Sequence, residues 1–168
     1  MNFTIIERMK REIVDAVEKM LHNAGPWRSV YEAAWGFVVR TDNDALGDIF
    51  LRALGGKTED RYDLGLCFAN GENGLPKDER MGLFWIWLAA ETGDGWAINN
   101  LATMVERGRG VKAIPREAFR LYQIAAEMCV PQAMRNLARC YRCGRCGGTN
   151  EEEAERLEVK ANEYEDDE

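Results

Sequence analysis

An offset of 36 residues organises positions 64–144: Ala97 returns as Ala133, Leu101 as Leu137 and Gly108 as Gly144, and the pair Ala89 and Ala90 returns as Ala125 and Ala126. Only between Leu64 and Leu101 does the interval stretch to 37, and Asn73 reads as one extra loop residue. A period of this length leaves little freedom of architecture. Each unit is too small to bury its apolar face alone, so stability has to come from stacking unit on unit. A chain of 168 residues with 46% hydrophobic and 10% aromatic content carries enough apolar material for one body with a real core.

Each unit reads as two helices. In the first, Ala97, Leu101 and Met104 fall at i, i+4 and i+7, and in the second Ala118, Leu121, Tyr122 and Ala125 share one face. Alanines at equivalent places let neighbouring helices approach closely. The loop glycines, Gly71 with Gly74 and Gly108 with Gly110, permit the reversal between the two helices, so each unit is a helical hairpin.

These residues resemble the Sel1-like repeats (SLR), relatives of tetratricopeptide repeats (TPR) with the pattern A-x3-L-x6-G-x-G-V followed by A-x6-A-A-x2-G. Ala97, Leu101, Gly108, Gly110, Val111, Ala118, Ala125 and Ala126 fit it in order. One repeat earlier, Leu64, Gly71, Gly74, Leu75, Ala89, Ala90 and Gly93 fit, with Gly82 in place of the alanine; one later, Ala133, Leu137, Gly144, Ala154 and Ala161 fit. Cys129 departs from the pattern where Gly93 stood, and Cys146 replaces a loop glycine. The resemblance implies an all-α, right-handed α/α solenoid of helical hairpins, a TPR-like superhelix. It also implies a non-enzymatic adaptor that holds proteins together. About nine helices are expected in all.

Three stretches follow from this reading. Residues 1–58 hold three helices, at 1–20, 27–40 and 44–54, that cap the solenoid; 59–162 hold two and a half to three repeats including a terminal cap helix; 163–168 form a flexible acidic tail. The first helix mixes Glu7, Arg8, Lys10, Arg11 and Glu12 with Ile6, Met9, Ile13 and Val17, which is amphipathic and unlike a signal peptide or membrane span. A cytoplasmic protein without membrane contact is expected. The helix at 78–91 is apolar nearly all round, and its Phe84 and Trp87 stand where the next repeat has Arg120 and Gln123. The N-terminal helices are expected to cover these aromatics as core, with an aromatic ligand pocket as the sharper alternative. In the cap helix Ala154, Leu157 and Ala161 keep the packing face, while Glu155, Glu158 and Lys160 make the outer side polar.

A net charge of −7 conceals a partition. Residues 1–106 carry 11 basic and 17 acidic side chains, 107–145 carry 9 and 2, and 151–168 carry 2 and 10. Within the basic segment Arg135, Arg139 and Arg142 lie at i, i+4 and i+7, opposite the strip of Ala133, Leu137 and Cys140, and form a guanidinium stripe facing water. In related superhelices the first helix of each hairpin lines the concave groove. The stripe, with Asn99, Asn100, Thr103 and Asn136, is therefore the candidate surface for a protein or peptide, and it would suit an acidic one. A plain solvated face is the bland alternative. Asn100 and Asn136 recur at the repeat interval, which also fits a role in the repeat's own hydrogen bonding.

Cys140, Cys143 and Cys146 form C-x2-C-x2-C, three thiolates that could share a zinc ion if a fourth ligand arrived, yet none is visible nearby. Simple thiols are the default, and no cofactor other than that zinc is suggested. His22 is the only histidine, and neither a G-x4-G-K phosphate loop nor a G-x-S-x-G elbow occurs, so catalysis is not expected. A second reading makes 107–145 a nucleic-acid surface with the cysteines as a zinc knuckle. The acidic tail counts against it, since it would compete for the same arginines.

Overall fold

The computed structural model describes residues 44–144 and 148–166. The helices expected at 1–20 and 27–40, Cys146 and the last two residues of the acidic tail lie outside the described residues. All secondary structure among the described residues is helical: α1 (Asp44–Leu54), α2 (Thr58–Asn70), α3 (Glu79–Ala90), α4 (Gly95–Arg107), α5 (Pro115–Glu127), α6 (Pro131–Cys143) and α7 (Glu151–Asp166). The chain pairs them as hairpins, α2 with α3, α4 with α5 and α6 with α7, and each hairpin packs on the next while α1 packs on α2. This is an all-α helical solenoid. α7 runs to Asp166, past the expected start of the tail at Glu163.

Local chemistry sets the boundaries. The recurring glycines Gly71, Gly108 and Gly144 end α2, α4 and α6 in the left-handed conformation, with φ of 77°, 73° and 62°, where a Cβ would be strained. Asp78 caps α3 by accepting hydrogen bonds from the Arg80 and Met81 amides, and Asp94 caps α4 by accepting from the Ala97 amide at 2.6 Å. Pro115 and Pro131 open α5 and α6 at a position where a missing N–H costs nothing. Cys129 keeps the turn that Gly93 makes one repeat earlier, with φ of 63° against 85°, at a cost of about 1 kcal/mol for a residue with a Cβ.

The repeated alanines are the packing surface. Ala97, Ala118, Ala125, Ala133, Ala154 and Ala161 are all buried, and around the last five Tyr122, Met134, Leu137 and Ala138 complete one core shared by the second and third hairpins. The first hairpin and α1 pack through larger groups. Trp85, Phe68 and Phe50 are buried, with the Phe50 and Trp85 rings edge to face at 5.4 Å between centroids. Phe84 is buried as expected, whereas Trp87 keeps 37% of its surface exposed. None of the described helices is long and apolar enough to cross a membrane.

Glycine makes the α2–α3 crossing close. A Cβ on Gly82 would sit 2.6 Å from the Ala69 Cβ and 2.8 Å from its backbone, and one on Gly65 would sit 2.6 Å from Ile86 Cγ1. An alanine at a helical glycine ordinarily stabilises by about 1 kcal/mol, and Gly47 in α1, with nothing within 4 Å of an added Cβ, is such a site. Gly82→Ala should reverse that sign and cost about 1 to 3 kcal/mol by overpacking. Thermal denaturation of Gly47→Ala beside Gly82→Ala checks the contrast: the second alone should lower the melting temperature.

Candidate interaction surface

The first helices of the three hairpins, α2, α4 and α6, are joined to one another by side chains. Asn100 Nδ2 on α4 donates to the Tyr62 hydroxyl on α2, and Asn136 Nδ2 on α6 donates to Asn99 Oδ1 on α4 at 2.9 Å. The two bonds occupy the same place in successive repeats, because Tyr62 aligns with Asn99 and Asn100 with Asn136. Asn99 is buried, so its carbonyl needs this donor.

Nearer the C-terminal ends of these helices sits a stronger link. Arg139 on α6 donates from Nη1 to Glu106 Oε1 at 2.9 Å and from Nη2 to Glu106 Oε2 at 2.6 Å, a two-pronged pair between consecutive first helices. The Glu106 side chain is only 7% exposed and Arg139 is 42% exposed. From α5 the Tyr122 hydroxyl donates to Glu106 Oε2 at 3.0 Å, and the Thr103 hydroxyl lies 3.0 Å from that of Tyr122. Burial, with the neighbouring Glu106 carboxylate, pushes the Tyr122 phenol up to about 12. The Glu106 carboxylate likewise holds the Arg139 guanidinium above its ordinary range.

The remaining arginines of the stripe turn toward α7. Arg142 donates from Nε to Glu151 Oε1 at 2.8 Å and from Nη2 to Glu158 Oε2 at 2.8 Å, and its Nη1 also reaches Glu158 Oε1. That guanidinium keeps the Glu158 carboxyl below its usual range. Arg135 Nη2 donates to Asn162 Oδ1 at 3.1 Å. The row that reads in sequence as arginines facing water is thus engaged by groups on α4 and α7. Of the sequence-chosen residues, Asn99, Thr103, Asn136 and Arg139 come together between α4 and α6, Asn100 faces α2, and Arg135 and Arg142 face α7. Cys140 is buried and Cys143 exposed on α6; among the described residues no three of His, Cys, Asp and Glu come together as a metal site.

Sequence reasoning passed over Glu106, Tyr62 and the polar end of Tyr122. The signal was present for Glu106, which lies 33 residues before Arg139, one helical turn short of the repeat interval, so opposite charges meet across the α4–α6 boundary. It also passed over Arg109. That residue donates to Glu79 Oε1 at 3.1 Å, to the Ala69 carbonyl at 2.7 Å and to Asn70 Oδ1 at 3.2 Å, clamping the α4–α5 turn onto the preceding hairpin.

The hairpins coincide with known repeats. The sequence model of the Sel1 repeat matches residues 59–94, 97–128 and 131–157, one stretch per hairpin and more than half of the chain. The chain belongs to the Sel1 repeat family. Among solved structures, a Sel1 repeat protein from Oxalobacter formigenes is similar in fold, with a TM-score of 0.67 and 23% identity over 73% of this chain and 92% of that one. The protein c5321, a protective antigen present in uropathogenic Escherichia coli strains and displaying an SLR fold, has a TM-score of 0.67 and 27% identity over 88% of this chain. This chain spans 33% of that antigen's length. No curated protein matches it.

The Tyr122 environment in the second Sel1 repeat gives a pH signature. An unfolded chain releases the phenol proton near pH 10, whereas the folded protein holds it to about 12. The resulting stability is fully present below pH 10 and is lost as pH rises from 10 to about 12. Denaturant melts across this window should lose stability more steeply in the parent protein than in Tyr122→Phe.

Proposed function

We propose that this Sel1 repeat chain is a non-enzymatic adaptor of the cytoplasm that binds a protein or peptide along the face formed by α2, α4 and α6. The observation that supports the reading is the row of polar side chains fixed there in repeat register, from Tyr62 and Asn100 through Asn99 and Asn136 to Glu106 and Arg139. Polar groups already held in place lose little further freedom when a partner binds, which favours recognition by such a surface. Asn100, Thr103, Arg135, Asn136 and Arg139 keep part of their surface open and Arg142 is exposed, while buried Asn99 acts as the support that orients Asn136. The three guanidinium groups are already met by protein groups, so they offer the partner oriented polar edges more than free charge.

Nucleic acid fits this face less well. Glu106, Glu151 and Glu158 stand against Arg139 and Arg142, so phosphates approaching those arginines would meet carboxylates.

A photo-crosslinking residue placed at Asn100 or Arg135 should capture a discrete partner in cells, and the same residue at exposed Arg120 on α5 should not. Equal capture from position 120 would contradict binding by the first-helix face.

A further inference from the structure

We infer that the turn between α4 and α5 carries a second interaction surface, separate from the first-helix face, that takes an acidic protein segment bearing aliphatic side chains. Residues 107–116 contain four cations and no carboxylate. Of these, Arg109 is consumed by Glu79, Asn70 and the Ala69 carbonyl. Arg107, Lys112 and Arg116 are exposed, and their side chains make no hydrogen bond or ion pair among the described residues. Arg80 joins them. It is exposed on the first turn of α3, and Gly110 lies so close to that turn that an added Cβ would be 2.2 Å from the Glu79 carbonyl oxygen and 3.0 Å from the Arg80 nitrogen. Set among these cations are two aliphatic side chains, Val111 at 36% and Ile114 at 48% exposure.

The turn is held in one shape. Gly108 and Gly110 take φ of 73° and 76°, the Arg109 amide donates to the Met104 carbonyl at 2.9 Å, and the Ile114 amide donates to the Val105 carbonyl at 3.1 Å. With the Arg109 clamp added, Val111, Lys112 and Ile114 are presented on a fixed support, which lowers the ordering cost of binding.

Charge decides the occupant. Arg135, Arg139 and Arg142 already face protein groups, so a partner's carboxylates there would compete with Asn162, Glu106, Glu151 and Glu158. At the turn they would displace no group of the described residues. Aliphatic contacts on Val111 and Ile114 select a protein segment over a sugar–phosphate backbone, which brings little apolar surface to them, and no aromatic side chain lies in 107–116 for a base to stack on. A patch of this size gives a transient, salt-sensitive contact.

The test uses the full chain and a short fluorescent peptide of glutamate and leucine, with anisotropy read at low salt. Binding is expected. Replacing Arg107, Lys112 and Arg116 together with alanine should weaken it about tenfold, Ile114→Ser about threefold, and Arg156→Ala, an exposed cation on α7, not at all. Lysine in place of Arg107 and Arg116 should restore most of the affinity, which separates lost charge from a damaged fold. Failure of the peptide to bind, an unchanged affinity in the triple variant, or tighter binding of a labelled single-stranded oligonucleotide than of the peptide would overturn the proposal.

Discussion

The Glu106 carboxylate is almost wholly withdrawn from water, and a buried charge is tolerated only when its lone pairs are met. Arg139 meets two of them from the next repeat and Tyr122 a third from the partner helix of its own hairpin. The alanine surfaces that bring α4 and α6 together are small and smooth, and they would accept a helix shifted along its axis. The carboxylate would not, because a slip of α6 by part of a turn takes both Arg139 donors away from it. The polar link therefore supplies the register that the apolar contacts lack, and the Asn99–Asn136 bond repeats the device farther toward the start of the same helices.

That use of charge shapes what the surface can offer. Arginines drawn into seams between helices are oriented but largely satisfied, so the first-helix face presents fixed polar edges more than free charge. Cations with no side-chain partner among the described residues lie instead on the α4–α5 turn, where clamping by Arg109 spends one arginine to fix the shape that displays its neighbours. Among the described arginines of the basic segment, those in the seams are the ones that a carboxylate or amide of an adjacent helix reaches.

Much of the fold was legible in the sequence because repeats restate their own rules. The 36-residue interval placed each hairpin, and Gly71, Gly108 and Gly144 marked the ends of the first helices by a conformation that disfavours a Cβ. The alanines at 97, 118, 125 and 133 marked buried positions. The candidate face was only partly legible. Alignment shows which residues are equivalent, whereas contacts between neighbouring repeats fall out of alignment: Asn99 meets Asn136, one residue past its own equivalent, and Glu106 meets Arg139, three residues short of its equivalent Arg142. Helical periodicity put Arg135, Arg139 and Arg142 opposite the buried strip correctly, but periodicity on one helix carries no information about carboxylates on α4 and α7. Cys129 shows the converse, a left-handed turn retained by its surroundings after the glycine that signals it has gone.

A double-mutant cycle between Glu106 and Arg139 tests most directly whether a polar link holds consecutive repeats together. Stabilities of the parent, Glu106→Gln, Arg139→Met and the double variant, measured by denaturant unfolding, give the coupling between the two side chains. A coupling of about 1.5 to 3 kcal/mol is predicted for a charged, two-pronged, half-buried pair. Additive effects, with a coupling below about 0.5 kcal/mol, would contradict it and leave the Glu106–Arg139 pair with no part in joining the repeats.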